Sequence, residues 1–110
     1  MKKLIVDVFF STVAAFGLFF VFALPTQAQD ASAALYKSKC AACHGPDGSG
    51  SATGKTMGAH DLSSTDVQKM SDAELTTIIT DGKNKMPAYG KSLKPDQIQG
   101  LVAYIRTLKK

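Results

Sequence analysis

Cys40, Ala41, Ala42, Cys43 and His44 form the run whose residue types and spacing carry chemistry, and it contains the only two cysteines among 110 residues. Cysteines three positions apart on a helical turn project their sulfurs to the same side. From there they reach the vinyl groups along one edge of a porphyrin and join them as thioethers. The next residue, His44, is carried over the ring face, where a neutral imidazole nitrogen binds iron. A Cys-x-x-Cys-His run therefore reads as a site of covalent haem attachment.

Two other chemistries use parts of the same run. A redox dithiol opens a helix after a strand in a βαβ pattern, and the sequence shows no strand of that kind. A structural zinc site needs four ligands. Cys40, Cys43, His44 and His60 supply that number, but the adjacent Cys43 and His44 make poor tetrahedral partners. Haem attachment is the reading that needs His44 where it stands.

A low-spin iron in an electron carrier takes a second axial side chain, a methionine or a histidine, opposite the first. The candidates are Met57, Met70, Met86 and His60. Met86 fits best, because it lies in a loop between two helical patterns and Pro87 fixes the backbone directly after it. Met70 falls on or at the end of a helix, where methionine is commonly core filler. Met57 follows a glycine-rich loop close to His44, and His60 reads as a surface histidine. These three, and an open distal position, stay as alternatives to Met86.

The elements that must hold these residues begin with a leader. Lys2 and Lys3 precede an almost wholly apolar stretch from Leu4 to Leu24, broken by Asp7, and Pro25-Thr26-Gln27-Ala28 offers small residues for cleavage. This is the layout of a secretory signal peptide over residues 1–28, with the domain over residues 29–110. An uncleaved membrane anchor is the alternative, since the run is nearly long enough to span a bilayer. Either way the domain is expected to be exported, to a periplasm or an equivalent extracytoplasmic compartment. All six phenylalanines lie in the leader, leaving Tyr36, Tyr89 and Tyr104 as the aromatics of the domain. A core of this size needs a staple, and a covalently held haem supplies an apolar plate for short helices.

Removing Lys2, Lys3 and Asp7 leaves 11 basic and 8 acidic residues, a formal charge of +3. That dispersed charge argues against nucleic-acid binding. Lys37, Lys39, Lys83, Lys85 and Lys91 could form a basic rim that steers an acidic partner.

Beyond the leader the pattern is all-α, with three or four short helices. Asp30 is positioned to cap a first helix from Ala31 to about Cys43. Gly45 to Gly58 reads as a loop, and a short helix begins near Ser64 or Thr65. Ser71-Asp72-Ala73-Glu74 is a capping box that opens a helix through Thr80, with Leu75, Ile78 and Ile79 on one face and Gly82 ending it. Asn84 to Leu93 is an extended loop. Pro95 opens the last helix, where Ile98, Leu101, Val102 and Ile105 recur at i, i+3, i+4 and i+7 out to about Leu108.

Cys40-Ala41-Ala42-Cys43-His44-Gly45, Asn84-Lys85-Met86-Pro87-Ala88-Tyr89 and Leu101-Val102-Ala103-Tyr104-Ile105 together resemble the small single-haem class I c-type cytochromes. The resemblance spans Asp30 to Lys110 and is closest to the short bacterial and photosynthetic carriers. It implies the cytochrome c fold, one haem c attached at Cys40 and Cys43, and iron ligated by His44 and Met86. It implies a one-electron carrier rather than an enzyme, a monomer meeting respiratory or photosynthetic redox proteins. By position Ser32, Tyr36, Leu101 and Tyr104 would form the crossing of the first and last helices. Ser32 stands where the family usually has glycine, so a slightly wider crossing is expected. The family's proline carbonyl, which accepts the imidazole N–H, falls by distance near Lys55-Thr56-Met57-Gly58.

Two other functions remain to be weighed. A haem enzyme or a gas sensor needs a labile distal site, and no acid–base pair for peroxide chemistry is visible, His60 and Arg106 being the only other histidine and the only arginine. A fixed subunit of a respiratory complex would keep its N-terminal anchor.

Overall fold

The structure, a computed structural model, describes residues 26–110. Residues 1–25 of the leader, the apolar run 4–24 among them, lie outside the described residues, and so does the question of its cleavage or retention. Every regular element among the described residues is a helix: α1 (Thr26–Lys39), α2 (Ala41–His44), α3 (Ala52–Thr56), α4 (Thr65–Gln68), α5 (Asp72–Asp81) and α6 (Pro95–Thr107). Extended backbone pairs once, at Lys83 and Met86. The expected all-α class holds, and none of these helices is long and apolar enough to cross a membrane.

The core is the apolar stripe of α6 pressed against α1 and α5. Ile98, Leu101, Val102 and Ile105 are buried along α6, and α1 and α5 pack on it. Leu75 and Ile79 come from α5, with Ile78 only half-buried, and Tyr36 comes from α1. Leu62, Val67 and Leu93 complete the cluster from the connections and α4. Burying each such side chain contributes about 1.5–3 kcal/mol.

α1 and α6 meet through the residues expected at their crossing. The Tyr36 and Tyr104 rings lie 4.8 Å apart, tilted at 42°, and Tyr36 and Leu101 are the most fully buried side chains. The serine at position 32 is matched on the other helix. A Cβ on Gly100 would run into Ser32 Oγ, so the glycine of α6 makes the room that a glycine at position 32 would otherwise give.

Helix ends follow the sequence where caps are local. Ser71 and Glu74 form the capping box in both directions, at 3.1 Å and 2.7 Å. Ser64 caps α4, and Pro95 opens α6. Two expectations are corrected. The helix expected from Ala31 to Cys43 is two helices. α1 already covers Thr26 to Gln29, where Gln27, Ala28 and Gln29 are good helix formers, so Asp30 sits inside it rather than capping it. It stops at Lys39, where Cys43 N–H turns to Cys40 O at 3.2 Å and tightens the backbone before α2. The loop expected from Gly45 to Gly58 contains α3, whose sequence has no apolar face to betray it.

Arg106 ties the far ends of three helices together. From α6 it donates through Nη1 to Gln68 O at 2.9 Å, through Nη2 to Met70 O, and through Nε and Nη2 to Asp72 Oδ1 at 3.0 and 2.8 Å. The Asp72 side chain is 76% exposed and that of Arg106 29%, so the two carbonyl bonds outweigh the solvated ion pair. Arg106→Ala is expected to lower holoprotein stability by about 1–3 kcal/mol in urea titrations. Asp72→Ala should cost less than about 1 kcal/mol, and equal losses from the two variants would contradict this division.

Candidate functional site

The break between α1 and α2 is where the chemistry-bearing residues gather. Cys40 is the N-cap of α2, Cys43 lies within it and His44 is its last residue. Every carbonyl of this tight turn is satisfied, two by i+4 bonds within it and the rest from outside. Lys39 O accepts from Tyr89 Oη at 3.2 Å. Cys40 O accepts from His44 N at 2.9 Å, and Ala41 O from Gly45 N at 2.8 Å. Ala42 O accepts from Ser51 Oγ at 2.7 Å. Cys43 O accepts from Ser51 N at 2.9 Å, and His44 O from Gly50 N at 2.7 Å. Gly45 O accepts from the buried Tyr36 Oη at 2.7 Å. The turn is thus fixed by α1, by the start of α3 and by the segment after α5.

The side chains on this turn are unpaired thiols and an imidazole whose Nδ1 has no protein partner. Cys40 and Cys43 are free and half-buried. Burial pushes the Cys40 thiol up to about 11, and Cys43 beside it adds to the shift. Burial likewise holds His44 below the usual histidine range, against a smaller opposing effect of the His60 backbone. The ring is therefore neutral at pH 7 and keeps a lone pair for a metal. Its Nδ1 is buried with no hydrogen-bond partner.

Met86 lies in a short reversal after α5. Lys83 and Met86 exchange backbone bonds of 2.9 and 3.2 Å, with Asn84 taking the left-handed conformation at φ 53°. Gly82 precedes the reversal at φ 75°. A Cβ there would lie 2.7 Å from Met86 O and 3.0 Å from Ala88 N, so only glycine lets the chain fold back this closely. Tyr89 N and Gly90 N then bond to Ile79 O and Thr80 O at 3.0 Å each, fastening the loop to α5. Met86, Tyr89 and Cys40 all pack against the core as half-buried groups.

Residues 27–105 match the family model described as cytochrome c oxidase, cbb3-type, subunit III. Over 112 aligned residues the chain is 35% identical to cytochrome c6 of Gloeothece citriformis, covering 96% of this chain and 93% of that protein. It is 34% identical to the cbb3-type cytochrome c oxidase subunit FixP of Azorhizobium caulinodans, covering 76% of this chain but 28% of that protein. The solved structure of the KustC0563 c-type cytochrome is similar at a TM-score of 0.69 and 31% identity, covering 72% of this chain and 98% of that one. The chain belongs to the c-type cytochrome family.

This cytochrome carries covalently bound haem c with its iron. Bound haem c supplies an iron that accepts or releases one electron. The donors present fit that group. Two unpaired thiols and a neutral imidazole share one turn, the imidazole Nδ1 has no partner in the protein, and a thioether lies in the loop fastened to the same turn. The rival chemistries fit less well. A thiol raised to about 11 is protonated at neutral pH and a poor redox nucleophile. Among the described residues no three of His, Cys, Asp and Glu are grouped to hold a metal ion, so the zinc set of Cys40, Cys43, His44 and His60 is not assembled.

The other distal candidates are placed differently. Met57 follows α3 and is 41% exposed. Met70 packs on the core at the α4–α5 junction, its carbonyl held by Arg106. The His60 side chain is exposed, as expected of a surface histidine. Its backbone, however, is the polar group that acts on the His44 ring. The polar group set against the imidazole is therefore the His60 backbone, just beyond the expected Lys55 to Gly58. The sequence reading also missed Ser51 and Gly54, which buttress the turn. A serine followed by helix-forming residues was the available signal, and the glycine between them hid it.

Proposed function

We propose that this cytochrome is an exported one-electron carrier in which Cys40 and Cys43 hold the haem and His44 and Met86 ligate its iron. The observation that carries the reading is the joining of two segments. The turn bearing both cysteines and a neutral His44 is bonded, through Tyr89, to the loop that bears Met86. A methionine in a fastened loop suits a ligand that must stay bound in both oxidation states. An exposed Met57 and a Met70 at the Arg106 junction do not. The thioether would favour the ferrous state and raise the potential.

Lys37 and Lys39 at the end of α1 and Lys83, Lys85 and Lys91 around the Met86 loop are all exposed. The bond from Tyr89 to Lys39 sets these two groups on neighbouring segments, which supports a basic rim facing an acidic redox partner through a small, short-lived interface. The cytochrome itself would act as a monomer, with respiratory or photosynthetic redox proteins as partners, in a periplasm or comparable compartment.

A subunit of a cbb3-type oxidase is the second reading, favoured by the description of the family model. Coverage favours the free carrier: the match spans 93% of the Gloeothece cytochrome c6 and 28% of FixP. A haem enzyme or gas sensor has less support, because Arg106 is committed to the α4–α5 junction. Mass spectrometry of the exported protein should find residues 1–28 absent and one haem retained under denaturing conditions. Carbon monoxide should bind the ferrous protein slowly or not at all at neutral pH. Rapid binding would refute the carrier, and a retained leader would favour the anchored subunit.

A further inference from the structure

We infer that the Tyr89 hydroxyl is a positioning group for the distal ligand, a tether that holds the Met86 loop closed against the haem-attachment turn. The inference rests on Met86 being that ligand and adds the residue that controls how firmly it stays.

Among the described residues, the bond from Tyr89 Oη to Lys39 O is the only hydrogen bond between the loop after α5 and the turn at Cys40, and it joins positions 50 apart in sequence. The acceptor exists because α1 breaks at Cys40. Cys43 N–H, which would have reached Lys39 O in a continuous helix, turns to Cys40 O instead. Tyr89 is also the anchor of its own loop. Its N–H bonds to Ile79 O at 3.0 Å, and its carbonyl accepts from Leu93 N at 2.9 Å. The residue thus has a backbone fixed to α5 and a phenol fixed to α1, three positions after Met86. Burial pushes its phenol above the usual tyrosine range, which keeps it protonated as a donor.

Without this tether, the Lys83–Met86 reversal and the Tyr89 and Gly90 bonds to α5 remain, but among the described residues no hydrogen bond joins the loop to the turn at Cys40. Opening of the loop would then become easier while the helices and their core stay in place, since no core side chain depends on the phenol oxygen. The hydroxyl therefore sets ligand lability rather than global stability.

Imidazole titration of the ferric holoprotein tests this directly. Tyr89→Phe keeps the ring and removes the oxygen. Its affinity for added imidazole should rise roughly fivefold, the equivalent of one hydrogen bond's net contribution, and the weak red charge-transfer band of thioether ligation should thin. Thr77→Ala, which removes an exposed side-chain hydrogen bond within α5, serves as the control. It should leave imidazole affinity unchanged. Unchanged affinity in Tyr89→Phe, or an equal rise in Thr77→Ala, would overturn the tether. A native protein that lacks the red band, or a Met86→Ala variant that keeps it, would instead overturn the ligand assignment on which the tether depends.

Discussion

Met86→Ala should abolish the red charge-transfer band of the ferric protein, admit carbon monoxide rapidly to the ferrous protein and lower the midpoint potential. Axial ligands span roughly 0.8 V across haem proteins, so exchanging a thioether for water or a stray base should move the potential by on the order of 0.1 V. The direction follows from chemistry: soft sulfur favours the ferrous state, and a hard oxygen donor favours the ferric one. The other methionines provide the contrast. Met57, 41% exposed beyond α3, can be changed to alanine with no effect on the band. Met70 packs against the core, so Met70→Ala should cost about 2–4 kcal/mol of stability while the band stays. A band that survives in Met86→Ala and disappears in either of the others would reassign the ligand.

The division between legible and hidden parts of this protein follows the range of the interactions. Caps are local, and Ser71 with Glu74 could be read because their partners lie within one turn. The stripe of α6 could be read because its four buried residues recur at helical spacing. The haem c of the family could be anticipated because the Cys40–His44 run proposes its attachment in consecutive residues. What escaped depends on contacts distant in sequence. α3 has no apolar face, and it is stable here because Ser51 and Gly54 lie against α2. The break of α1 at Cys40 is accompanied by bonds from distant hydroxyls, Tyr36 to Gly45 O and Tyr89 to Lys39 O. The setting of the His44 ring depends on His60, sixteen positions on, and spacing from the histidine could not distinguish it from Lys55 to Gly58.

The serine at position 32 teaches the same lesson from the other side. Read alone, it predicted a looser crossing of the first and last helices. The compensating residue is Gly100 on α6, whose missing side chain receives Ser32 Oγ. Ser32 Oγ also donates to Ala28 O at 2.9 Å, so the hydroxyl is satisfied within α1 and asks nothing of the facing helix. A departure from a family pattern at one position of a crossing can be judged only with the residue opposite it.

Gly54→Ala sets two local rules against each other, and packing should win. In an isolated helix alanine is favoured over glycine by about 1 kcal/mol, so propensity alone predicts a stabler α3. Gly54 is buried, though, and its α-hydrogen side faces the haem-attachment turn. A Cβ there would collide with Cys43 O and stand 2.6 Å from Cys43 C and 3.0 Å from its Cα. These are backbone atoms of a turn fixed from three directions, with no flexible end to yield. α3 must instead move away, stretching the bonds from Ser51 N to Cys43 O at 2.9 Å and from Ser51 Oγ to Ala42 O at 2.7 Å. Two hydrogen bonds at about 1 kcal/mol each and overpacking at about 1–3 kcal/mol exceed the propensity gain. A net loss of about 2–4 kcal/mol is therefore expected in denaturant titrations of the holoprotein. Thr53→Ala, an exposed change one residue earlier in the same helix, should stay within about 0.5 kcal/mol of the native protein. Because His44 follows the carbonyl that Gly54 presses on, the glycine variant should also shift the Soret band, and the threonine variant should not. A Gly54→Ala protein as stable as the native one, with an unmoved Soret band, would mean that α3 does not buttress the turn.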